Sequence, residues 1–386
     1  MKLRHGNIAI QGIGTALPPH RLDQEDVAAR LSDALGGQGD SARWARRIFK
    51  QSGVERRYTC EPNLLEAAGL CRYAVNGNPE GVPTTAERML VYERESVPLA
   101  RQAAERALAD SGTSPSDVTH LIAVSCTGQF LPGLDVALAK GLGMRPDVRR
   151  IPLTFLGCAA GLTGIRLARD LAEGDPSAVV LVVCVELCTL HIQPSDDRQA
   201  LYATAFFGDG ASACVVSGSG GGLFALGEGR TVLFPDSEGE MAWKLGPTGF
   251  DLYLSAGIPR LIGQVVPPRL GEWLGADGKP GLWAIHPGGR GIVDALQTSL
   301  DLSGEETSAS RTVLREYGNL SSATLLFVFQ ELRRKLESGA LPRDPESASG
   351  VAIAFGPGVG AEMMKIAYVG ETPELGREAP AALAHG

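Results

Sequence analysis

Apolar positions along this chain recur with two periods, and the switches between them mark out alternating strands and helices. Residues 8–17 alternate and stop at Pro18 and Pro19, which predicts a first strand and turn. Asp23 stands as a cap before a helical segment reaching Leu35, and residues 86–111 read as a long amphipathic helix closed by Gly112. Residues 120–125 form a short buried strand running into a Gly turn, and residues 178–185 are apolar without a break, as a central parallel strand is. The stretch FFGDGASACVVS closes a first half, residues 1–218, and GSGGG at 218–222 is the clearest break in composition. A second half, residues 223–372, repeats the alternation. It has an apolar helix through Ile262 and Val266, a strand and Gly turn at 282–289, a helix at 291–300, a turn opening a long helix at 317–337, and a last strand and Gly turn at 350–360. Residues 60–85 read as a loop or lid, and residues 373–386 as a Pro/Ala-rich tail.

The pattern changes most sharply at residues 150–175, RIPLTFLGCAAGLTGIRLARDLAEGD. An apolar run ends at Gly157, Cys158 follows, and apolar residues then return at helical spacing through Leu162, Ile165, Leu167, Ala168 and Leu171. Strand, tight turn and helix are the expectation, with the Cys at the turn. A thiol there lies at the positive end of a helix beside unpaired backbone N–H groups, which favours the thiolate and makes Cys158 a candidate nucleophile. Buried structural Cys is the other reading of such a residue, and this stretch alone leaves both open.

Composition narrows the class. The 386 residues are 44% hydrophobic and 21% charged, enough chain for two core-sized units or one large duplicated fold. A formal charge of −8 without a long basic run argues against nucleic acid as a partner. The N-terminal stretch breaks into Gly and Pro before a signal-like apolar region forms, and the longest apolar run is too short to span a bilayer, so no membrane partner is expected. Seven Cys without framework spacing fit reduced thiols and a cytoplasmic location. The most basic part is RWARRIFKQSGVERRY at 43–58, whose cations Arg43, Arg46, Arg47 and Lys50 fall mostly on one helical face. A solvated face and a contact for phosphates both account for it.

A second regularity supplies partners for the thiol. The strand-turn at Ser125 and Cys126 precedes Cys158 by about the same interval, roughly 33 residues, that separates the strand-turn at His286 from the helix-opening Asn319. A duplicated α/β unit whose halves face each other would bring Cys158, His286 and Asn319 to one site. A Cys–His pair suits covalent acyl transfer, and His and Asn aimed at one point supply two donors for a developing oxyanion or enolate. Each also has a plain structural reading: a His after an apolar strand is often a satisfied turn residue, and Asn before a helix is first of all a cap.

Five motifs, GCAAG, FFGDGASA, IHPGG, YGNLSSA and FGPG, occur in this order and closely resemble those of the type III polyketide synthases, the chalcone and stilbene synthase family of the thiolase superfamily. The resemblance runs from about Ile8 to Gly370. It implies a thiolase-like five-layered αβαβα fold of two duplicated halves, a homodimer, and an acyltransferase acting on acyl-CoA and malonyl-CoA as substrates, with no metal and no resident cofactor. By motif, Cys158 corresponds to the nucleophile, His286 and Asn319 to the pair that stabilises the enolate from malonyl-CoA, and Phe207 to the gatekeeping aromatic. Arg47 falls where the family binds the CoA phosphates, with Lys50 beside it. Leu131, before Pro132 and Gly133, falls where members insert a side chain into the partner's cavity.

The same resemblance places Cys126, Cys188, His191, Trp243, Phe250, Leu252 and Ser321 along the substrate cavity. Thiols and aromatics stand there in place of the hydroxyl residues of plant enzymes, which looks like the bacterial branch and favours an aliphatic acyl starter extended by a few malonyl units, giving an alkylpyrone or alkylresorcinol type product. A tetrahydroxynaphthalene-type synthase using only malonyl-CoA is the alternative, followed by a single-condensation ketoacyl synthase and by a non-catalytic scaffold. Cys184, Cys188 and His191 have a spacing that suggests a metal site, but in a strand the two thiols point one way and the imidazole the other. A thiol-lined strand ending at the cavity is the preferred reading.

Overall fold

The computed structural model describes residues 8–74, 81–218, 220–275, 278–344 and 347–371. Part of the 60–85 loop and the 373–386 tail therefore lie outside the described residues. Up to the glycine-rich break the chain forms β1 (Ala9–Ala16), β2 (His20–Asp23), α1 (Gln24–Ala34), α2 (Asp40–Gln51), β3 (Arg56–Thr59), α3 (Thr85–Ser111), β4 (His120–Ser125), α4 (Leu134–Gly141), β5 (Arg149–Thr154), α5 (Ala160–Gly174), β6 (Val179–Leu187), α6 (Arg198–Phe206) and β7 (Asp209–Ser217). Beyond it come β8 (Gly222–Leu233), β9 (Met241–Gly246), β10 (Gly249–Leu254), α7 (Ile258–Leu274), β11 (Leu282–Ile285), α8 (Arg290–Ser299), α9 (Ser308–Tyr317), α10 (Thr324–Glu337), β12 (Ser349–Gly356) and β13 (Gly360–Glu371).

Nine strands join in the order β11-β12-β13-β8-β1-β7-β6-β4-β5. The seam is narrow, because β1 and β8 pair only through Ala9 with Ala225 and Ile10 with Phe224. Outward from it the two halves repeat one another. On one side β1-β7-β6-β4 are paired antiparallel, antiparallel and parallel; on the other β8-β13-β12-β11 follow the same sequence of pairings. This is the duplication that the spacing predicts.

Side-chain alternation along the strands sets the layers. Leu121, Ala123, Leu181 and Val183 pack outward against Leu99, Ala103, Ala107 and Leu138 of α3 and α4. Their neighbours Ile122, Val124 and Val182 pack inward with Ile165 and Ala168 of α5 and Leu325 and Val328 of α10, in a core shared with Ala284, Ala352 and Ala354 of the second half. The outer face of that half, Trp283, Ile285, Val351 and Ile353, is covered by Ile262 and Val266 of α7 and Ile292 and Leu296 of α8. Helices, sheet, helices, sheet and helices give the five-layered αβαβα fold, with α5 and α10 at the centre. Burial on both faces explains why the central strands read as continuous apolar runs. No helix among the described residues is long and apolar enough to cross a membrane.

Three local elements depart from the sequence reading. The turn expected at 317 is preceded by a separate helix, α9. The Gly/Trp/Pro-rich segment is a β9–β10 hairpin, in which Trp243 pairs with Leu252. Finally, β6 stops at Leu187, and Cys188–His191 is a 3-10 turn, so the strand argument for opposite directions of Cys188 and His191 does not apply. Cys184 belongs to the central core instead, and among the described residues no group of three or more His, Cys, Asp or Glu is placed to hold a metal ion.

Candidate active site

Between β5 and α5 the chain turns through Phe155 and Gly157, both at positive φ (56° and 61°), and a 3-10 turn at Gly157–Ala159 leads into the helix. A Cβ at Gly157 would lie 2.3 Å from Pro357 Cδ, so both conformation and space require glycine. Cys158 sits in that turn only partly buried, whereas the other six thiols are buried. The second half builds the same turn before α10: Ser321 has φ 49° and opens a 3-10 turn at Ser321–Ala323. Likewise Cys126 and His286 each follow the matching strands β4 and β11. The duplication therefore pairs Cys126 with His286, and Cys158 with Ser322 rather than with Asn319. Asn319 arrives by another route, a parallel bridge to Phe207 in which Asn319 N donates to Phe206 O (2.8 Å) and Gly208 N to Asn319 O (3.0 Å).

These elements surround a chamber of about 520 Å³ lined by Cys158, His286, Asn319, Ser321 and Phe207. Both side-chain atoms of Asn319 lie 3.9 Å from Cys158 Sγ, and Ser321 Oγ lies at 3.7 Å. The Asn319 amide is oriented by its neighbours. Ser321 N donates to Oδ1 (2.8 Å), which leaves Nδ2 to donate to Gly288 O (3.2 Å) and, across the chamber, weakly toward Cys158 Sγ (3.9 Å). His286 is buried, with no hydrogen-bond partner on either ring nitrogen among the described residues.

Burial dominates the charges. It pushes the Cys158 thiol up to about 11 against the lowering contacts of Ser321 and Asn319, and pulls the His286 imidazole down to about 3. The helix-terminus argument for a ready thiolate is thus outweighed by burial. Moving the proton from sulfur to imidazole would leave opposite charges in a medium of low dielectric, where their attraction is large. Neutral imidazole and the Asn amide each carry an N–H group on the wall of the chamber that also holds the sulfur.

Behind the turn lies a buried carboxylate that the sequence reading passed over. Glu186 accepts from Cys126 N (3.1 Å), Cys126 Sγ (3.0 Å), Thr127 Oγ1 (2.7 Å) and Ser322 Oγ, and burial raises its pKa. It is the one charged residue in an apolar central strand, and that was the available signal. Phe207, Trp243 and Leu252 separate the first chamber from a second of about 580 Å³, lined also by Cys188, His191 and Phe250. His191 stacks on Phe250 with ring centroids 4.1 Å apart, and Trp243 stands edge-on to both. The imidazole is pinned by Nε2–H donating to Thr127 O (2.7 Å) and Nδ1 accepting from Phe250 N (3.1 Å), and burial holds it neutral, with a pKa lowered to about 4.

Comparison with known proteins agrees with this architecture. Residues 1–220 match the family model of chalcone and stilbene synthases, N-terminal domain, and residues 226–370 that of the C-terminal domain. The chain belongs to the chalcone and stilbene synthase family. It is a type III polyketide synthase, an acyltransferase-type enzyme. Bisdemethoxycurcumin synthase from rice (Oryza sativa subsp. japonica) is 36% identical over 383 residues, covering 93% of this chain and 92% of the relative. Among solved structures, the C-terminal type III polyketide synthase domain of Steely1 from Dictyostelium superposes with TM-score 0.84 at 27% identity, covering 94% of this chain and 99% of the other. PKS-I from the brown alga Ectocarpus siliculosus superposes with TM-score 0.85 at 28% identity, covering 96% and 100%.

In this type III polyketide synthase the remaining candidates fall in three places. Cys126 is buried behind Ser321, 3.5 Å from its Oγ, and does not line either chamber. Leu131 is 95% exposed at the tip of the loop before α4, on the outside of the chain. Arg47 lies on the exposed side of α2 with its guanidinium 5.5 Å from the Trp44 ring centre, and Arg198 lies over the same ring at 3.9 Å. Lys50 opens instead onto a separate recess with Asp23, Glu25, Asp26 and Glu55. The first chamber reaches solvent past Ile48, Gln51, Tyr202 and Arg290, none of which the motifs had marked.

Proposed function

We propose that this synthase loads an acyl group from a CoA thioester onto Cys158 and extends it by repeated decarboxylative condensation with malonyl-CoA. In the loading step the sulfur–carbonyl bond to Cys158 forms, the bond to CoA breaks, and the thiol proton ends on the departing CoA sulfur. Loss of CO2 from malonyl-CoA then breaks a carbon–carbon bond, and the electron pair becomes a thioester enolate. Its oxygen receives N–H groups from His286 and Asn319. The enolate carbon attacks the carbonyl on Cys158, the sulfur–carbon bond breaks, and the extended chain leaves on CoA to be reloaded. CoA thioesters are substrates throughout, and the scheme uses no resident cofactor or metal.

The observation that carries this reading is the convergence of Cys158, His286 and Asn319 on one chamber whose amide donor is held by Ser321. The wall of Phe206, Met241, Leu254, Ile258 and Phe355 supports an aliphatic starter and an alkylpyrone or alkylresorcinol type product. Arg47, Arg198 and Arg290 supply positive charge for the CoA phosphates, and Lys50, in its separate recess, is left out of that role. The exposed Leu131, with Phe155 and Leu156 also exposed, supports a homodimer in which Leu131 reaches the partner's cavity. Purified protein given malonyl-CoA and acyl-CoA starters of increasing length is expected to release CO2 and CoA and to yield products heavier by several acetate units. Full-length product from a Cys158→Ala variant would overturn the reading, and a single extension would identify a ketoacyl synthase instead.

A further inference from the structure

Arg57 and Arg88 are among the largest wholly buried side chains, and neither bonds a carboxylate among the described residues. Among the described residues the Nη2 of each has no hydrogen-bond partner. Burial pulls the Arg57 guanidinium down to about 10, so it remains charged at neutral pH. The buried Asp209 carboxylate acts on Arg57 only through its field, without a bond, whereas charges buried in proteins are mostly held as bonded pairs. The contacts that Arg57 makes instead explain its presence better than folding does.

Arg57 reaches from β3 to the junction of α6 and β7. Its Nη1 donates to Phe207 O (2.6 Å) and its Nε to Gln24 Oε1 (3.1 Å), while Gln24 Nε2 donates to Ala205 O (2.7 Å). Together they hold carbonyls at the end of α6, where a cation complements the helix dipole. The arginine stem fills the gap between the Phe207 segment and the Asn319 segment. A Cβ at Gly318 would lie 2.9 Å from Arg57 Cγ, and one at Gly208 3.3 Å from Arg57 Cβ. Those glycines flank Asn319 and Phe207, the two residues joined by the parallel bridge.

We propose that Arg57 is a positioning residue: by gripping the Phe207 carbonyl it fixes the spacing between the gate ring and the Asn319 amide, and so couples decarboxylation to carbon–carbon bond formation. This rests on the roles proposed above for Asn319 and Phe207. The other buried arginine provides a contrast. Arg88 grips Pro83 O (2.9 Å), Ile192 O (3.0 Å) and Leu190 O beside the His191 turn, on a wall that does not carry Asn319.

The test measures CO2 released per acetate unit incorporated, together with kcat, KM for malonyl-CoA and alkylation of Cys158. Arg57→Met is expected to keep Cys158 alkylation and KM while condensation falls about 100-fold, as a displaced reacting group does. The ratio of CO2 to incorporated units rises, and Arg57→Lys, which can still reach one carbonyl, recovers part of the coupling. Arg88→Met is expected to shift product masses and leave the ratio unchanged. If Arg57→Met does not fold, Gln24→Leu loosens the same guanidinium and raises the ratio less. An unchanged ratio in the folded Arg57 variants, or in Gln24→Leu where they do not fold, overturns the inference and leaves the proposed reaction standing, as does an equal rise in Arg88→Met. Wild-type protein that releases no CO2 from malonyl-CoA overturns both.

Discussion

Asn319→Asp changes the amide at the reacting centre while keeping its shape. In the native site Oδ1 accepts the Ser321 N–H at 2.8 Å, and Nδ2 donates to Gly288 O at 3.2 Å with its second proton facing the chamber. An aspartate keeps the first contact and turns the donor into an acceptor. Losing one such donor to an oxyanion costs about 100- to 1000-fold in kcat, or about 3–4 kcal/mol. An ionised carboxylate adds repulsion of the enolate and faces the Gly288 carbonyl, so the loss at pH 8 should reach at least that range. Asn319 is almost wholly buried, so a carboxyl in its place has its pKa raised. Acidification then restores an O–H donor, and CO2 release by Asn319→Asp should climb between about pH 8 and pH 6 relative to Asn319→Ala. The assay is labelled CO2 from carboxyl-labelled malonyl-CoA at saturation, with Cys158 alkylation as the check that the turn survives. CO2 release from Asn319→Ala within tenfold of wild type, or parallel pH profiles for the two variants, would refute the donor role.

Three further outcomes follow from the same geometry. Trp243→Ala removes the half-buried ring shared by chambers of about 520 and 580 Å³ and should shift products to higher mass by acetate units, read by mass spectrometry. His191, with an ordinary value of 6.5 and a folded value of about 4, makes stability greatest above about pH 6.5 and lets it fall toward pH 4, because the unfolded chain takes a proton that the folded site refuses. That single group accounts for about 3 kcal/mol across the window, and denaturant titrations of His191→Gln should show a flatter loss, whereas an unchanged slope would count against it. Leu131→Asp places a charge on a side chain that is 95% exposed in the single chain, and on the homodimer proposed above sedimentation should find this variant as a monomer; a dimeric variant would count against that role for Leu131.

How much of this was legible depended on where each signal resides. The Cys158 turn was readable because local period changes there from strand to helix, with Gly157 at the switch. The central strands were readable because strands buried on both faces do not alternate polar and apolar residues, whereas the five layers came from the resemblance that the ordered motifs carry. Asn319 was reached through a repeat in spacing that points to a real duplication, although the equivalent of Cys158 is Ser322 and the Asn comes in through the Phe207 bridge. The departures lie where structure depends on residues far apart. Nothing near Cys188 announces that β6 ends at Leu187, since the turn is held by Asp209 accepting from Thr189 N at 2.8 Å and by Arg88 on the carbonyls beyond it. Arg57 sits in a basic stretch that reads as a solvated face or a phosphate contact, and only the fold shows that its guanidinium is inside. Lys50 shares a broad helix face with Arg47, but it lies one turn after Arg46 and opens with it onto another recess, while the Arg47 guanidinium turns back over Trp44.

The narrow seam between β1 and β8 has a bearing on how this enzyme can be taken apart. One half contributes the sulfur, the other the imidazole and the amide, and neither holds a complete set of reactive groups. Two backbone pairings join the halves across the sheet, while α5 and α10 press together in a shared apolar centre. The glycine-rich link between β7 and β8 is therefore a place where the chain can be cut into two inert polypeptides. Their association through the α5–α10 layer would rebuild the chamber, making reconstituted activity a direct report that the halves have docked.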